Sequence, residues 1–420
     1  MLQKITTIFK ISDLRNKILF VLGMMAVFRI GASIPVTAVN AEALQNFFSG
    51  NATFGLLNIF TGGSLSQVSI VMLGLGPYIT ATIIMQLLTM VFPKLKEIYH
   101  EQGENGRQKF NQLSRLITIP LAILQGYGFL TLLSRQGILS DSSLFAIVSS
   151  VLIVTAGAIF LMWLGELITQ KGIGNGISLL IFAGIISGIP GAVRNAIIDF
   201  DPSKINQFIL LAVISVIVIA GVVFINESQR NVPVSYAKRI RGNRMYGGAS
   251  TFLPVKVNQA GMIPIIFALS VLVFPQTIIS FLGTSSNQFI ADISFAVSSF
   301  LQNQFINGAL YFLLVVAFTY FYTQITFEPK TISENLQKQG AFIMGMRPGD
   351  ETTNYLKRTV NRITLFGALF LGLVAVVPII AQFITGIGAL VISGTAVLIV
   401  VAVVIDTVRQ IEAQVSVREY

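Results

Sequence analysis

Apolar residues run along this chain in blocks of about twenty, the length a helix needs to cross a bilayer. The blocks predict helices near 18–34, 73–92, 113–133, 145–168, 177–192, 207–225, 259–281, 307–327, 363–384 and 388–407. That is ten spans, five on each side of the polar loop RNAIIDFDPSKINQ. Five is odd, so two five-helix halves would have opposite orientations. Inverted repeats of this sort put the functional pathway at the interface between the halves. One stretch breaks the pattern: TGGSLSQVSIVMLGLGPYITATIIMQLL, Thr61 to Leu88. From about Met72 it reads as a membrane helix. Before that, Ser64, Ser66, Gln67 and Ser69 fall among Leu65, Val68, Ile70 and Val71, after the adjacent Gly62 and Gly63. Segment 61–71 is too short and too polar to cross.

Composition fixes the class as an all-α polytopic membrane protein. The chain is 54% hydrophobic and 11% charged, against roughly 25% charged in soluble domains. Basic residues set the expected topology. Lys4, Lys10, Arg15 and Lys17 precede the first span, and Lys94, Lys96, Arg107, Lys109 and Arg115 follow the second. Lys171 follows the fourth, and further groups fill the connections at about 227–257 and 328–362. Only Arg135, Arg194 and Lys204 fall on alternate sides. Both termini are therefore expected in the cytosol, with the net charge of +10 concentrated on one face. The expected organisation is an amphipathic surface segment at 1–16, an N-terminal half at 17–196, a C-terminal half at 197–410 and a short tail at 411–420. The basic start and apolar run resemble a signal peptide, but the run is long enough to span and is read as an uncleaved helix.

The chemistry missing from the spans narrows the function. Cysteine is absent, the one histidine (His100) lies in a charged loop, and no phosphate-binding GxxxxGK[ST] motif occurs. Catalytic residues, metal ligands and cofactors are therefore expected to be none. Arg29 lies near an outer boundary, and Glu166 and Asp406 near helix ends. Ion-coupled pumps usually hold carboxylates or histidines within spans, so coupling through a buried acid is disfavoured. A small-solute secondary transporter remains the alternative, suggested by the 5+5 plan. An intramembrane enzyme is disfavoured further by the lack of acids and histidine.

Several motifs resemble one family closely and in order: VFRIGASIPV (27–36), GPYITATIIMQLL (76–88), FLMWLGELITQKGIGNGISLLIFAGI (160–185), YAKR (236–239), LPVKVNQAGMIPIIFA (253–268), NLQKQGAFIMGMRPG (335–349) and SGTAVLIVV (393–401). The chain is similar to the SecY family, channel-forming subunits of the bacterial protein translocon. The resemblance implies a pore between the halves, clamped by small SecE-like and SecG-like membrane subunits. It implies passage of signal sequences and nascent polypeptides, with lateral release of helices into the lipid bilayer. It also implies delivery by the SecA motor ATPase or the ribosome, and a place in the bacterial cytoplasmic membrane.

Carried over by motif, the pore ring is Leu75, Ile79, Ile177, Ile181, Met262, Ile266 and Ile399. The first six form i,i+4 pairs, each facing one direction, and stacked aliphatic side chains exclude ions by dewetting. The plug is Gly63, Ser64, Leu65, Ser66, Gln67, Val68, Ser69 and Ile70, expected as a short distorted helix folded into the outer funnel. Its polar residues are expected to weaken its hold, its flanking glycines to let it move, and Leu65, Val68 and Met72 to seat it. The lateral gate is assigned to Thr80, Gln86, Asn258 and Gln259. Docking of SecA or the ribosome is assigned to Lys238, Arg239, Arg241, Arg244 and Arg347: Arg239, Arg241 and Arg244 lie near Tyr236 and Tyr246, a mix that suits RNA phosphate, and the resemblance implies the role of Arg347 in coupling to SecA and the ribosome. Asn243, where many relatives carry a second arginine, weakens the ribosomal part of that expectation.

Overall fold

The structure is a computed structural model of the chain. It describes residues 11–416 apart from 38, 41–42, 45–46, 48–57, 59–60, 101, 140–142, 199–201, 203–204, 237–238, 242–243, 247–249, 283–287, 289–291, 293–296, 298, 301–302 and 386–393. The expected surface segment at 1–16 therefore lies outside the described residues as far as Lys10. The described helices are α1 (Ser12–Ser33), α2 (Gly76–Val91), α3 (Pro93–His100), α4 (Gly103–Arg135), α5 (Leu144–Lys171), α6 (Gly176–Ile198), α7 (Ile205–Glu227), α8 (Ile263–Leu282), α9 (Gln304–Thr326), α10 (Pro329–Lys338), α11 (Asp350–Thr385) and α12 (Gly394–Ser416). The strands are β1 (Gln229–Tyr236), β2 (Arg239–Arg241), β3 (Arg244–Tyr246), β4 (Ser250–Lys256) and β5 (Ala341–Ile343).

A described helix overlaps each expected span, with 388–393 of the last span lying outside the described residues, but the ends differ for a physical reason. Hydropathy marks the part of a helix that suits lipid, whereas backbone hydrogen bonding carries the helix on into polar sequence. Thus α4 begins at Gly103 rather than 113, and α11 at Asp350 rather than 363. By length and apolar composition, six described helices can cross a membrane. The number is seven when Gly76–Val91 is joined across a 115° bend to Pro93–Tyr99. That bend falls at Phe92, whose extended backbone (φ −107°, ψ 107°) is what the following proline ring favours.

The chain divides into two compact units. The first holds residues 1–206, 269–307 and 387–420. In it α4 packs on α2, α3 and α5, and α6 packs on α5 and α12. The second holds 207–268 and 308–386. There the two long basic connections, expected as loops, build a three-stranded antiparallel sheet of order β4-β1-β5, with β2 and β3 as a separate hairpin. Val232, Val234, Val255, Ala341 and Ile343 turn one face of the sheet onto Leu356 and Val360 of α11.

Candidate functional site

Residues 61–71 do not form the expected short distorted helix, and the expected span from 73 starts as a helix only at Gly76. Residues 61–75 run as successive turns, because Gly62, Gly63 and Gly74 take φ of 70°, 78° and 56°, and Val68 takes 45°. A right-handed helix cannot pass through such residues. A branched side chain at positive φ is also costly, on the order of 1–3 kcal/mol, and persists only where its surroundings enforce it.

The surroundings do enforce it. Leu65, Val68 and Met72 are fully buried in one apolar cluster with Phe129, Leu130 and Leu133 of α4 and Val151 and Val154 of α5. Burying each is worth about 2 kcal/mol, so this cluster is the main seat. The chain after α1 adds backbone bonds: Val36 N donates to Val68 O (2.9 Å) and Ile70 N to Ile34 O (2.9 Å). Two glycines permit the close fit. A β-carbon on Gly62 would lie 2.7 Å from Gly184 Cα in α6, and one on Gly157 in α5 would clash with the Ile70 carbonyl oxygen.

The serines play a different part from the one expected. Ser64 Oγ donates to Thr61 O (2.8 Å) and Val71 O (3.3 Å), and Ser66 Oγ to Gly63 O (2.8 Å). Asn58 Oδ1 accepts from Ser66 N (2.9 Å). Ser64 and Ser66 therefore knit the segment to itself rather than loosening it. Ser69 is buried and its hydroxyl has no partner among the described residues. Gln67 is exposed.

Of the expected ring residues, Leu75, Ile181, Met262 and Ile399 are buried, and Ile79, Ile177 and Ile266 are half-buried. Leu75 immediately precedes α2 and accepts from Ile79 N (3.0 Å), so the segment leads straight into that pair. Met262 bears the same relation to α8, accepting from Ile266 N (3.4 Å). Leu75, Ile79, Ile177, Ile181 and Ile399 belong to the first unit, Met262 and Ile266 to the second.

The stretch GIGNGIS makes the reversal that places Ile177 and Ile181 on α6. Asn175 Oδ1 accepts from Ile177 N (3.1 Å) and Ser178 N (3.2 Å), capping the helix start, and Thr169 Oγ1 accepts from Gly176 N (2.9 Å). Gly174, at φ 86°, donates its N–H to Gln410 Oε1 of α12 (2.9 Å). Gln410 was not singled out by sequence, and nothing local marks it.

The expected gate residues divide. Thr80 bonds back to Gly76 O in its own helix (2.9 Å). Asn258 Nδ2 donates to Asn226 Oδ1 of α7 (2.7 Å), leaving Asn258 Oδ1 and Asn226 Nδ2 buried without partners among the described residues. Gln86 Oε1 and Gln259 Oε1 are in the same condition. Unmet polar atoms of this kind cost about 1–3 kcal/mol each, and any arrangement that satisfies them is favoured by that amount. Glu166, one of the few acids near a span, pairs with Arg115 (Nε–Oε1 2.6 Å), joining α5 to α4.

Of the expected docking residues, Lys238 lies outside the described residues, as does Asn243. The β2–β3 hairpin sets Arg239 opposite Tyr246 and Arg241 opposite Arg244. Arg347 is exposed on a fixed turn: its N–H donates to Glu351 Oε2 (3.1 Å) and its carbonyl accepts from Thr352 Oγ1 (2.9 Å). Among the described residues no group of three or more His, Asp or Glu is placed to hold a metal.

These features define a multi-pass helical membrane protein in which a segment of turns, seated by buried apolar residues, precedes α2. The SecY family model matches residues 69–408. Over 431 residues the chain is 44% identical to a protein translocase subunit SecY of Halalkalibacterium halodurans, covering 100% of this chain and 99% of that protein. It is 40% identical to the subunit of the same name from Streptomyces scabiei, with the same coverage. A solved structure described as that of a protein conducting channel has a TM-score of 0.67 at 20% identity, covering 94% of this chain and 91% of that one. Another, described by the SecY plug domain that stabilises the closed channel and maintains a membrane seal, has a TM-score of 0.66 at 22% identity, with the same coverage. Sec61 from a canine ribosome-channel complex has a TM-score of 0.64 at 20% identity, again covering 94% and 91%. The chain belongs to the SecY family of protein translocase channel subunits.

Proposed function

We propose that this chain forms a protein-conducting channel whose resting seal has two layers, a plug at 63–70 and an aliphatic ring of Leu75, Ile79, Ile177, Ile181, Met262, Ile266 and Ile399. The observation that carries the reading is the segment of turns, seated by the buried Leu65, Val68 and Met72, that leads directly through Leu75 into the helix carrying Ile79. Aliphatic side chains seal without fixed polar partners, so they can widen around any peptide. Thr80, Gln86, Asn258 and Gln259 form the lateral gate, where the unmet amide atoms of three of them favour rearrangement when a signal sequence arrives. Hydrogen bonds between helices in lipid are worth about 0.6–2 kcal/mol, a scale that a hydrophobic signal can reverse.

The basic connections face the cytosol, as do both termini, in the bacterial cytoplasmic membrane. Lys238, Arg239, Arg241, Arg244 and Arg347 receive SecA or the ribosome, which supply the energy the channel lacks. Small SecE-like and SecG-like subunits complete the complex. A related structure, described as Sec61 in a ribosome-channel complex, supports the ribosomal partner. The experiment is to replace Ile181 and Ile266 with serine, reconstitute the channel with its small subunits, and record ion conductance at rest. Conductance is expected to rise, and an unchanged conductance counts against the seal.

A further inference from the structure

We infer that Arg29 is the latch that holds the 61–75 segment in its seated position. The inference rests on reading that segment as a plug. Arg29, near the outer end of α1, donates from Nη1 to Gly62 O (2.7 Å) and to Ser187 Oγ of α6 (3.2 Å). Ser187 Oγ also lies 2.7 Å from Gly184 O and 3.5 Å from Gly62 O. One guanidinium thus ties together α1, the start of the segment and α6. The contact reaches the segment only because Gly62, at φ 70°, can approach the Gly184 backbone without a side chain between them.

Three properties make this a latch rather than a fixed strut. The acceptor is a backbone carbonyl, so the bond forms whatever side chains the segment carries. Arg29 is exposed, so on release its charge returns to water or head groups and strands nothing in an apolar site. The segment also stores strain at Val68, whose φ of 45° is held by its surroundings, and release relieves it. The apolar seat at Leu65, Val68 and Met72 supplies most of the holding energy. A charged hydrogen bond at the front edge decides how readily that seat is left.

The chain contains no cysteine, so a Ser69→Cys reporter is its only thiol. Ser69 is fully buried in the seated segment. The complete channel with its small subunits is reconstituted in vesicles, and a membrane-impermeant maleimide is added from the outer side. Against the reporter alone, Arg29→Gln is expected to raise the labelling rate roughly tenfold, the low end for a charged hydrogen bond because Arg29 is exposed. Ser187→Ala is expected to raise it a few-fold, and Arg29→Lys to restore most of the protection. Resting ion leak and acceptance of weakened signal sequences should rise in the same order.

Unchanged labelling in Arg29→Gln overturns the latch. If that variant does not accumulate in the membrane, Ser187→Ala decides, and reporter-level labelling there overturns it equally. Deleting 63–70 separates the two readings. No added leak on deletion removes the plug itself. A leak on deletion with no effect of Arg29→Gln removes only the latch.

Discussion

Two regions of this chain fall outside the membrane-helix pattern, and they depart from the usual placement of residues in opposite senses. In 61–75, polar side chains are buried, with Ser64 and Ser69 fully enclosed. In the sheet formed by the basic connections, large apolar side chains are exposed: Phe252 is 63% exposed, and Met344, just after β5, is 62% exposed. Such exceptions are where burial is informative. The buried Ser64 hydroxyl satisfies two of the segment's own carbonyls, bonds the segment keeps when those to Ile34, Val36 and Arg29 break. The sheet carries its own apolar core, while Phe252 and Met344 stay outside it. On the proposed reading, one region moves as a piece and the other stays folded and is met by a partner.

Crowding the seat is the strongest way to break that contrast. Gly157 of α5 leaves no room for a β-carbon beside the Ile70 carbonyl. Gly157→Leu must displace the segment, at a cost of about 3 kcal/mol or more by the scale of overpacked cores. Resting ion leak in reconstituted vesicles is expected to match that of a 63–70 deletion, with Gly157→Ala intermediate. A Gly157→Leu channel as tight as the parent would mean that the seated segment does not make the seal.

The second region should fail independently. Leu356 is fully buried against the sheet, and Leu356→Ala is expected to cost about 2–5 kcal/mol of local stability. Proteolysis from the side of the basic connections should then cut within 229–256 and 341–349, while resting conductance stays at the parent level. A leak in this variant would show that the two regions are not separate devices.

How far each region was legible in the sequence follows from how its order is enforced. The spans were legible because lipid demands length and apolarity, and both are written locally. Segment 61–71 was legible as a misfit but not as turns, and the turns at 72–75 read as helix in the sequence. The glycines announced freedom without direction, and a positive φ at Val68 is imposed by distant packing. The role of its serines was misread because their acceptors, Thr61, Gly63 and Val71, become close only once the turns exist. Arg29 could be seen as a charge near a boundary, but its acceptor is a backbone carbonyl that no residue type advertises. The sheet had a visible period-two pattern in Val232, Val234 and Tyr236, obscured by Pro233 and Pro254. The register shows why those prolines are tolerated: β5 pairs only with Val234–Tyr236, beyond Pro233, and Pro254 lies on the edge strand β4.

The smallest effects sharpen the comparison most, because they exchange one exceptional residue in each region. Ser64→Ala removes a buried hydroxyl whose acceptors keep backbone donors, Ser64 N for Thr61 O and Gly74 N for Val71 O. The expected cost is therefore the net worth of a hydrogen bond, about 1 kcal/mol, rather than that of an orphaned carbonyl. Because the bond is internal, it should weaken the segment's rigidity more than its seating. Resting leak should rise less than in Gly157→Ala. Phe252→Ser removes an exposed ring and should change stability by no more than about 0.5 kcal/mol, leaving resting leak untouched while lowering affinity for the cytosolic partner. A Phe252→Ser channel that binds SecA and ribosomes as the parent does would show that the exposed aromatic face is not a contact. A Ser64→Ala channel leaking as much as the deletion would show that the buried serine seats the segment rather than knitting it.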